Sequence, residues 1–419
     1  MQDITSSGGE ERMKSKILLS ILLVALLAVI AVACAPAGPA ATNEIKIVSS
    51  LPRTGSSKGQ TDTVVNGIKM AVDEANGKVG NFTITYLDWD DATAAAGKWD
   101  PAQETENANK AVADKDVMVY IGTFNSGAAK LSIPILNAAG PLVMVSPANT
   151  YPGLTKPGKG EAGEPDKYYP SKVRNYTRVV PADDIQGAVG AQWAKQLKAT
   201  KVYILDDQET YGKGIADVFE AEAKKQGLTV LGHEGIDAKA ADYKALMTKV
   251  KGLNPDLIYF GGITQNNAGQ LLKDKINVGM ANDKVIFMGP DGIYEDAFID
   301  AAGKANVEGV LVTFGGVTVD QYTGKAKDWL AAYKKKFNAD PEVYAIYGYE
   351  AGKVALDAIA RAGTKDRKAI RDAVFATKDF DKGVLGKWSF DANGDTTILT
   401  MSGSSIKGGK FVFSTLLGQ

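Results

Sequence analysis

At 419 residues the chain exceeds one ordinary domain, and 45% hydrophobic with 23% charged residues is the composition of a water-soluble globular protein. Its 48 Lys and Arg offset 49 Asp and Glu, so no broad field exists to attract nucleic acid or an anionic membrane. The single cysteine and single histidine exclude internal disulfides and a zinc site made from those two residue types; with no calcium loop, and no P-loop or G-x-G-x-x-G after a strand, neither metal nor cofactor is expected.

Residues 1–33 read as a leader and signal peptide. Lys14 and Lys16 form a basic start, Ile17 to Val32 an apolar run, and Ala31-Val32-Ala33 supplies small residues before Cys34. The apolar run reaches about 24 Å at about 1.5 Å per residue, short of a hydrocarbon core of about 30 Å, which favours a cleaved export signal over a permanent span. Met13 directly precedes the basic pair, so residues 1–12 read as an over-long start. The stretch AVAC, followed by APAGPAAT, resembles a bacterial lipobox. That implies lipidation of Cys34, a tether over 34–43, and a protein held at the periplasmic or outer face of a membrane, since acyl chains contribute about 0.8 kcal/mol per buried CH₂.

From Glu44 onward, short β-branched runs alternate with helical spacing, which predicts parallel βα units. Strands are expected at Glu44 to Leu51, Phe82 to Asp88, Val117 to Phe124 and Leu142 to Ser146, with helices between them. A Pro- and Gly-rich excursion over 151–175 then reads as an ordered surface insertion. A second series follows Val180, with strands KVYILDD, LTVLGHE, DLIYFGG, KVIFMG and GVLVTF. Three helical patterns come after Thr318, then strand-like runs around Trp388, Ile398 and Val412. The fold class is therefore α/β with two doubly wound parallel-sheet lobes.

The first strand-to-helix loop contains Gly55-Ser56-Ser57-Lys58-Gly59, the G-x-S-x-G pattern of a hydrolase nucleophile elbow. A nucleophilic Ser57 needs a base, and His233, the only histidine, reads as a strand-end residue with ordinary packing. The acid pairs in LDWDDAT and ILDDQET read as helix-entry and hinge-facing residues. What remains is a binding geometry, because ligands collect at the carboxyl ends of strands in open α/β sheets. IGTFNSG ends at Ser126, opening a helix whose free N–H groups suit a carboxylate, and MVSPANT ends at Thr150. FMGPDG ends at Asp291, an acceptor for an ammonium. Together these describe a receptor for a zwitterion.

The stretches GIKMAVDEAN, YLDWDDAT, VYIGTFNSGAAKLSIPIL, MVSPANT, DDQETYGKGIAD, LIYFGG, FMGPDGI and YGYEAGKVALDAIARAG occur in the order found in branched-chain amino-acid-binding proteins of ABC transporters, and the chain resembles that family from Glu44 to its C-terminus. The resemblance implies a hinge of three crossovers, with one lobe at 44–180 plus 318–400 and the other at 181–317 plus 401–419. It implies a monomer that closes on an amino acid, Leu, Ile or Val first, and hands it to a permease driven by an ATPase. Ser126, Ala148 and Thr150 fall where the family holds the ligand carboxylate, Tyr211 where the other lobe reaches across, and Asp291, in place of Glu, where it holds the ammonium. Phe124 and Asn125 adjoin Ser126, while Lys58, and Ile263 or its neighbour Thr264, stand where cleft tyrosines are common. The alternatives are a related receptor for amides, urea or aromatic acids, a Ser hydrolase using Ser57, and a sensory ectodomain.

Overall fold

The β-branched runs assemble into two sheets in a computed structural model that describes residues 43–418. The signal-peptide reading and the lipidation of Cys34 lie outside the described residues. The first sheet runs in the order Lys78–Val79, Phe82–Asp90, Glu44–Leu51, Val117–Gly122, Val143–Ser146, Tyr176–Arg178, parallel except for its two-residue edge strand. The second runs Thr229–Gly235, Lys201–Asp206, Leu257–Gly261, Ile286–Gly289, Leu311–Gly315, and ends in the antiparallel pair Met401–Lys407 and Lys410–Leu417. In each, the strand order reverses beside the first long parallel strand, which places a crevice at the carboxyl ends of the strands.

The chain passes between the sheets three times: after Arg178, after Gly315 and before Met401. These crossings make the hinge of two doubly wound α/β lobes. The first crossing is anchored by Arg178, whose Nε lies 2.6 Å from Asp395 Oδ1. Its Nη1 donates to the carbonyls of Asn149 at 3.2 Å and Tyr151 at 2.9 Å. A buried guanidinium is tolerable because a carboxylate and these carbonyls surround it.

After the second crossing the chain returns to the first sheet through Ala345–Ala362, which packs on Lys58–Glu74. Two glycines let these helices meet backbone to backbone. A Cβ on Gly67 would stand 2.3 Å from the Ala345 carbonyl oxygen, and one on Gly348 2.3 Å from that of Val64. The insertion 151–175 is ordered around the buried Glu164, which accepts from Tyr151 Oη and the Glu161 N–H at 2.8 Å each and from Tyr168 Oη, with Lys130 and Lys167 at 3.1 Å. Burial alone would raise its carboxyl, but these donors outweigh it and hold the group at about 2.

The strand-like runs near Trp388 and Ile398 do not form strands. Trp388 makes an isolated bridge to Phe380, and another joins Phe390 to Thr396. Five of the described strands escape sequence reading: Lys78–Val79, Ala92–Thr93 and Lys98–Trp99 because they are two residues long, Tyr176–Arg178 because it is three, and Met401–Lys407 because MSGSSIK is dominated by Ser and Gly. Among the described residues no helix is long and apolar enough to cross a membrane.

Candidate functional site

Eight of the nine residues singled out from the sequence converge where the two crevices face each other. Phe124, Asn125, Ser126, Ala148, Thr150, Tyr211, Ile263 and Asp291, with Gly292 and Tyr344, line a cavity of about 20 Å³. That is the space of about one water, so a larger molecule reaches these groups only when the lobes part.

The wall contributed by the first lobe is built from two strand ends. Phe124 and Asn125 follow Val117–Gly122, and Ser126 opens the helix Ser126–Ala138, where the first N–H groups have no intrahelical acceptor. Ser146 ends the next strand, and its Oγ accepts from the Ala148 N–H at 3.2 Å and the Asn149 N–H at 2.8 Å, curling the chain so that Ala148 and Thr150 face the cavity. Asn149 Nδ2 donates to the Phe124 carbonyl at 3.0 Å and ties the two loops together. The result is a rigid set of hydroxyls and backbone amides suited to an anion.

The opposite wall is acidic and buried. Asp291 follows the strand Ile286–Gly289 and is 4% exposed. It accepts from Tyr211 Oη at 2.9 Å, from Gln186 Nε2, and from Tyr344 Oη. Burial pushes its carboxyl up, and the donors from Tyr344, Gln186 and Tyr211 pull the other way without cancelling the rise. Asp183, first residue of the helix Asp183–Gln196, is fully buried, and neither of its carboxylate oxygens has a hydrogen-bond partner. Burial drives it well above the carboxylate range and the neighbouring Asp291 drives it further. Of the two carboxyls only Asp291 lines the cavity, where it makes a site for a cationic donor.

Ile263 is placed by Asp207, whose Oδ2 accepts the Ile263 N–H at 3.1 Å and Asn266 Nδ2 at 2.8 Å. Burial raises the Asp207 carboxyl to about 7. Asn266 also meets the facing lobe, because Lys98 Nζ reaches across to Asn266 Oδ1 at 2.9 Å and Glu209 Oε1 at 2.7 Å. Around the cavity the rings of Phe124 and Tyr344 meet edge to face at 5.7 Å, so its floor is aromatic and its poles are charged or polar.

Lys58 is the residue the structure takes away from this cavity. It is the first residue of Lys58–Glu74, its side chain is 54% exposed, and Nζ pairs with Asp62 one turn along the helix. The loop before it is held elsewhere, with Asp90 Oδ1 accepting the Arg53 N–H at 2.7 Å and Asp90 Oδ2 the Thr54 hydroxyl at 2.7 Å. Ser57 sits at the helix entry, and His233 belongs to the second sheet, bonded to Asp206 and Glu220, so Ser57 has no imidazole beside it. Sequence reasoning missed Tyr344, Gln186 and Asp183. Only Asp183 carried a signal, an acid at the first turn after the first crossing.

A family model described as periplasmic binding protein matches residues 44–410. The chain is 32% identical over 360 residues to a protein of Brucella abortus named Leu/Ile/Val-binding protein homolog 2, covering 85% of this chain and 88% of that one. The crystal structure of the leucine-binding protein LivK from Thermotoga maritima superimposes with a TM-score of 0.77 at 26% identity, covering 89% of this chain and 98% of that one. LivJ from Streptococcus pneumoniae, solved in complex with isoleucine, gives 0.74 at 26% identity, with coverage of 88% and 100%.

Proposed function

The chain belongs to the periplasmic binding protein family, and we propose from this premise that it is an exported, lipid-anchored receptor that closes on a Leu/Ile/Val-like amino acid and delivers it to an ABC permease and its ATPase. We assign 44–180 with 318–400 to one lobe and 181–317 with 401–419 to the other, with Cys34 as the anchor. The observation that carries the reading is the polarity of the cleft. Hydroxyls and a helix N-terminus stand on one side, and the buried Asp291 on the other.

A zwitterion matches this polarity end for end. Its carboxylate meets Ser126, Ala148 and Thr150 in the parted cleft. Closure then brings Asp291 onto the ammonium, with Tyr211 aligning Asp291 through its hydroxyl. Hydrogen bonds to charged groups contribute about 1.5–3 kcal/mol each, so three or four support tight binding of a water-soluble ligand. Phe124, Ile263 and Tyr344 supply apolar surface for an aliphatic side chain. The relative named for Leu, Ile and Val and the LivJ complex with isoleucine support this choice of ligand. Release, not chemistry, completes the cycle, and no catalytic role is assigned to Ser57.

Titration calorimetry with L-leucine and with its 2-oxo acid, which lacks the ammonium, tests the reading. Leucine is expected to bind and the oxo acid to fail. Binding of benzoate or acetamide with no response to any amino acid overturns the assignment in favour of the related receptor class.

A further inference from the structure

We propose that the second lobe carries a divalent transition-metal site, fitted to Zn²⁺, made by His233, Asp217 and Glu220. Counting histidines and cysteines hides it, because the other ligands are carboxylates from a neighbouring helix.

The strand Thr229–Gly235 is the edge of the second sheet, and its pairing with Lys201–Asp206 steps by one residue between Val230 and Gly232. That bulge aligns His233 with Ile204, where an unbroken register would align it with Leu205. Side chains alternate between faces, so the one-residue step carries the imidazole to the other face of the sheet. This face is the one on which Ile204 packs with Ala216 and Phe219 of the helix Thr210–Lys225. Asp217 and Glu220, three residues apart on that helix, share a side of it and meet the ring.

The two ring nitrogens have distinct surroundings. Nε2 faces Asp206 Oδ2 at 3.1 Å, so a proton held there leaves Nδ1 to serve as the ligand atom once it gives up its own proton, the carboxylate-histidine arrangement that supports a bound metal. Nδ1 lies 2.6 Å from Glu220 Oε2 and 3.9 Å from Asp217 Oδ1. Each carboxylate divides its oxygens. The outer ones pair with lysines, Asp217 Oδ2 with Lys213 and Glu220 Oε1 with Lys224, both at 2.6 Å, and the inner ones turn toward the imidazole. One ligand atom from each of the three residues lies within 4.8 Å of the other two.

Such a convergence of acceptors calls for a positive charge between them. A proton on Nδ1 satisfies Glu220 but leaves Asp217 Oδ1 beyond hydrogen-bond reach. A tetrahedral zinc with bonds of about 2.0 Å sets its ligands about 3.3 Å apart, so Glu220 draws back from the 2.6 Å found here and Asp217 moves in from 3.9 Å when the ion enters. Binding then replaces that proton, which passes to solvent. The imidazole and mixed carboxylates select a borderline metal over Mg²⁺, which prefers an all-oxygen octahedron. Asp217 is half exposed, so the remaining coordination position opens to water.

The test uses the chain from Glu44 to Gln419, which forms one compact unit, freed of metal and titrated calorimetrically with Zn²⁺ and, separately, Mg²⁺. One equivalent of Zn²⁺ is expected to bind in the micromolar range, and Mg²⁺ not to compete. His233→Ala should abolish binding, Asp217→Asn weaken it, and Asp206→Asn, which keeps an oxygen acceptor at Nε2 but removes the negative charge that supports the imidazole, weaken it by about 10-fold. Circular dichroism on each variant confirms that it is folded. No saturable uptake by the wild-type chain, or unchanged affinity in folded His233→Ala, overturns the site.

Discussion

Tyr344 and Asp291 stand on opposite sides of the cleft, and the Tyr344 hydroxyl donates to Asp291 Oδ2. The bond makes Asp291 a junction of both lobes, because its other oxygen is held by Tyr211 and Gln186. Asp291→Ala removes the carboxylate that both lobes share and should weaken amino-acid binding by about 2–5 kcal/mol. Tyr344→Phe keeps the ring against Phe124 and Phe314 and loses one donor, which should cost about 0.5–1.5 kcal/mol. Calorimetry on both variants separates the roles, and equal losses would sink the assignment of Asp291 to the ammonium.

Lys98 closes on Glu209 and Asn266 from the facing lobe, and the ion pair is about 30% exposed on both sides. A pair so placed contributes about 0.2–1 kcal/mol and is screened by salt. Lys98→Met should therefore speed ligand release about two- to fivefold in stopped-flow experiments at low ionic strength. The difference from wild type should shrink at high salt, and a difference independent of salt would point to packing instead.

Closing the cleft has a pH cost lodged in Glu342. It precedes the helix Ala345–Ala362 of the first lobe, and burial raises its carboxyl to about 8, with Glu295 and Asp296 of the facing lobe pushing in the same direction and the Asp296 N–H opposing them. Burial likewise raises Glu295 to about 7. Opening that exposes Glu342 to water is expected to return it toward the ordinary value of 4.5. The closed form therefore holds the proton more tightly, and closure is favoured most below that value and progressively less as pH rises to about 8. Amino-acid affinity should fall across this window, and Glu342→Gln should flatten the fall. An unchanged slope in the variant removes Glu342 as its source.

Gly67 tests the contact that returns the chain to the first sheet. A side chain there meets the Ala345 carbonyl at 2.3 Å and the Tyr349 N at 2.8 Å, both backbone atoms of a packed helix. Gly67→Val should destabilise the fold by about 2 kcal/mol or more, whereas the same change at the open position Gly252 should leave packing untouched. Urea denaturation of the two variants measures the contrast.

The two-lobed architecture was legible because parallel strands buried on both faces, such as VMVYIG and LIYFG, are continuous apolar runs that helices must cover. Positions at strand ends were legible for the same reason: Ser126, Thr150 and Asp291 each follow such a run. Lys58 was misplaced because a loop that faces a cleft can still aim its last side chain outward once the helix begins. Tyr344 was hidden among the regularly spaced tyrosines of VYAIYGYEAG, and its partner lies far away in sequence. His233 looked bland because a register step in an edge strand leaves no mark in residue types, yet it decides which face the ring occupies.

Met401–Lys407 joins Leu311–Gly315 and itself carries Lys410–Leu417. Residues 401–417 thus finish a sheet begun at Lys201, and until they are in place Leu311–Gly315 presents an open edge. Order of synthesis and order of assembly are therefore out of step. A chain of this design leaves its second sheet unfinished until it has passed through the first lobe and come back, so neither lobe is complete without the other.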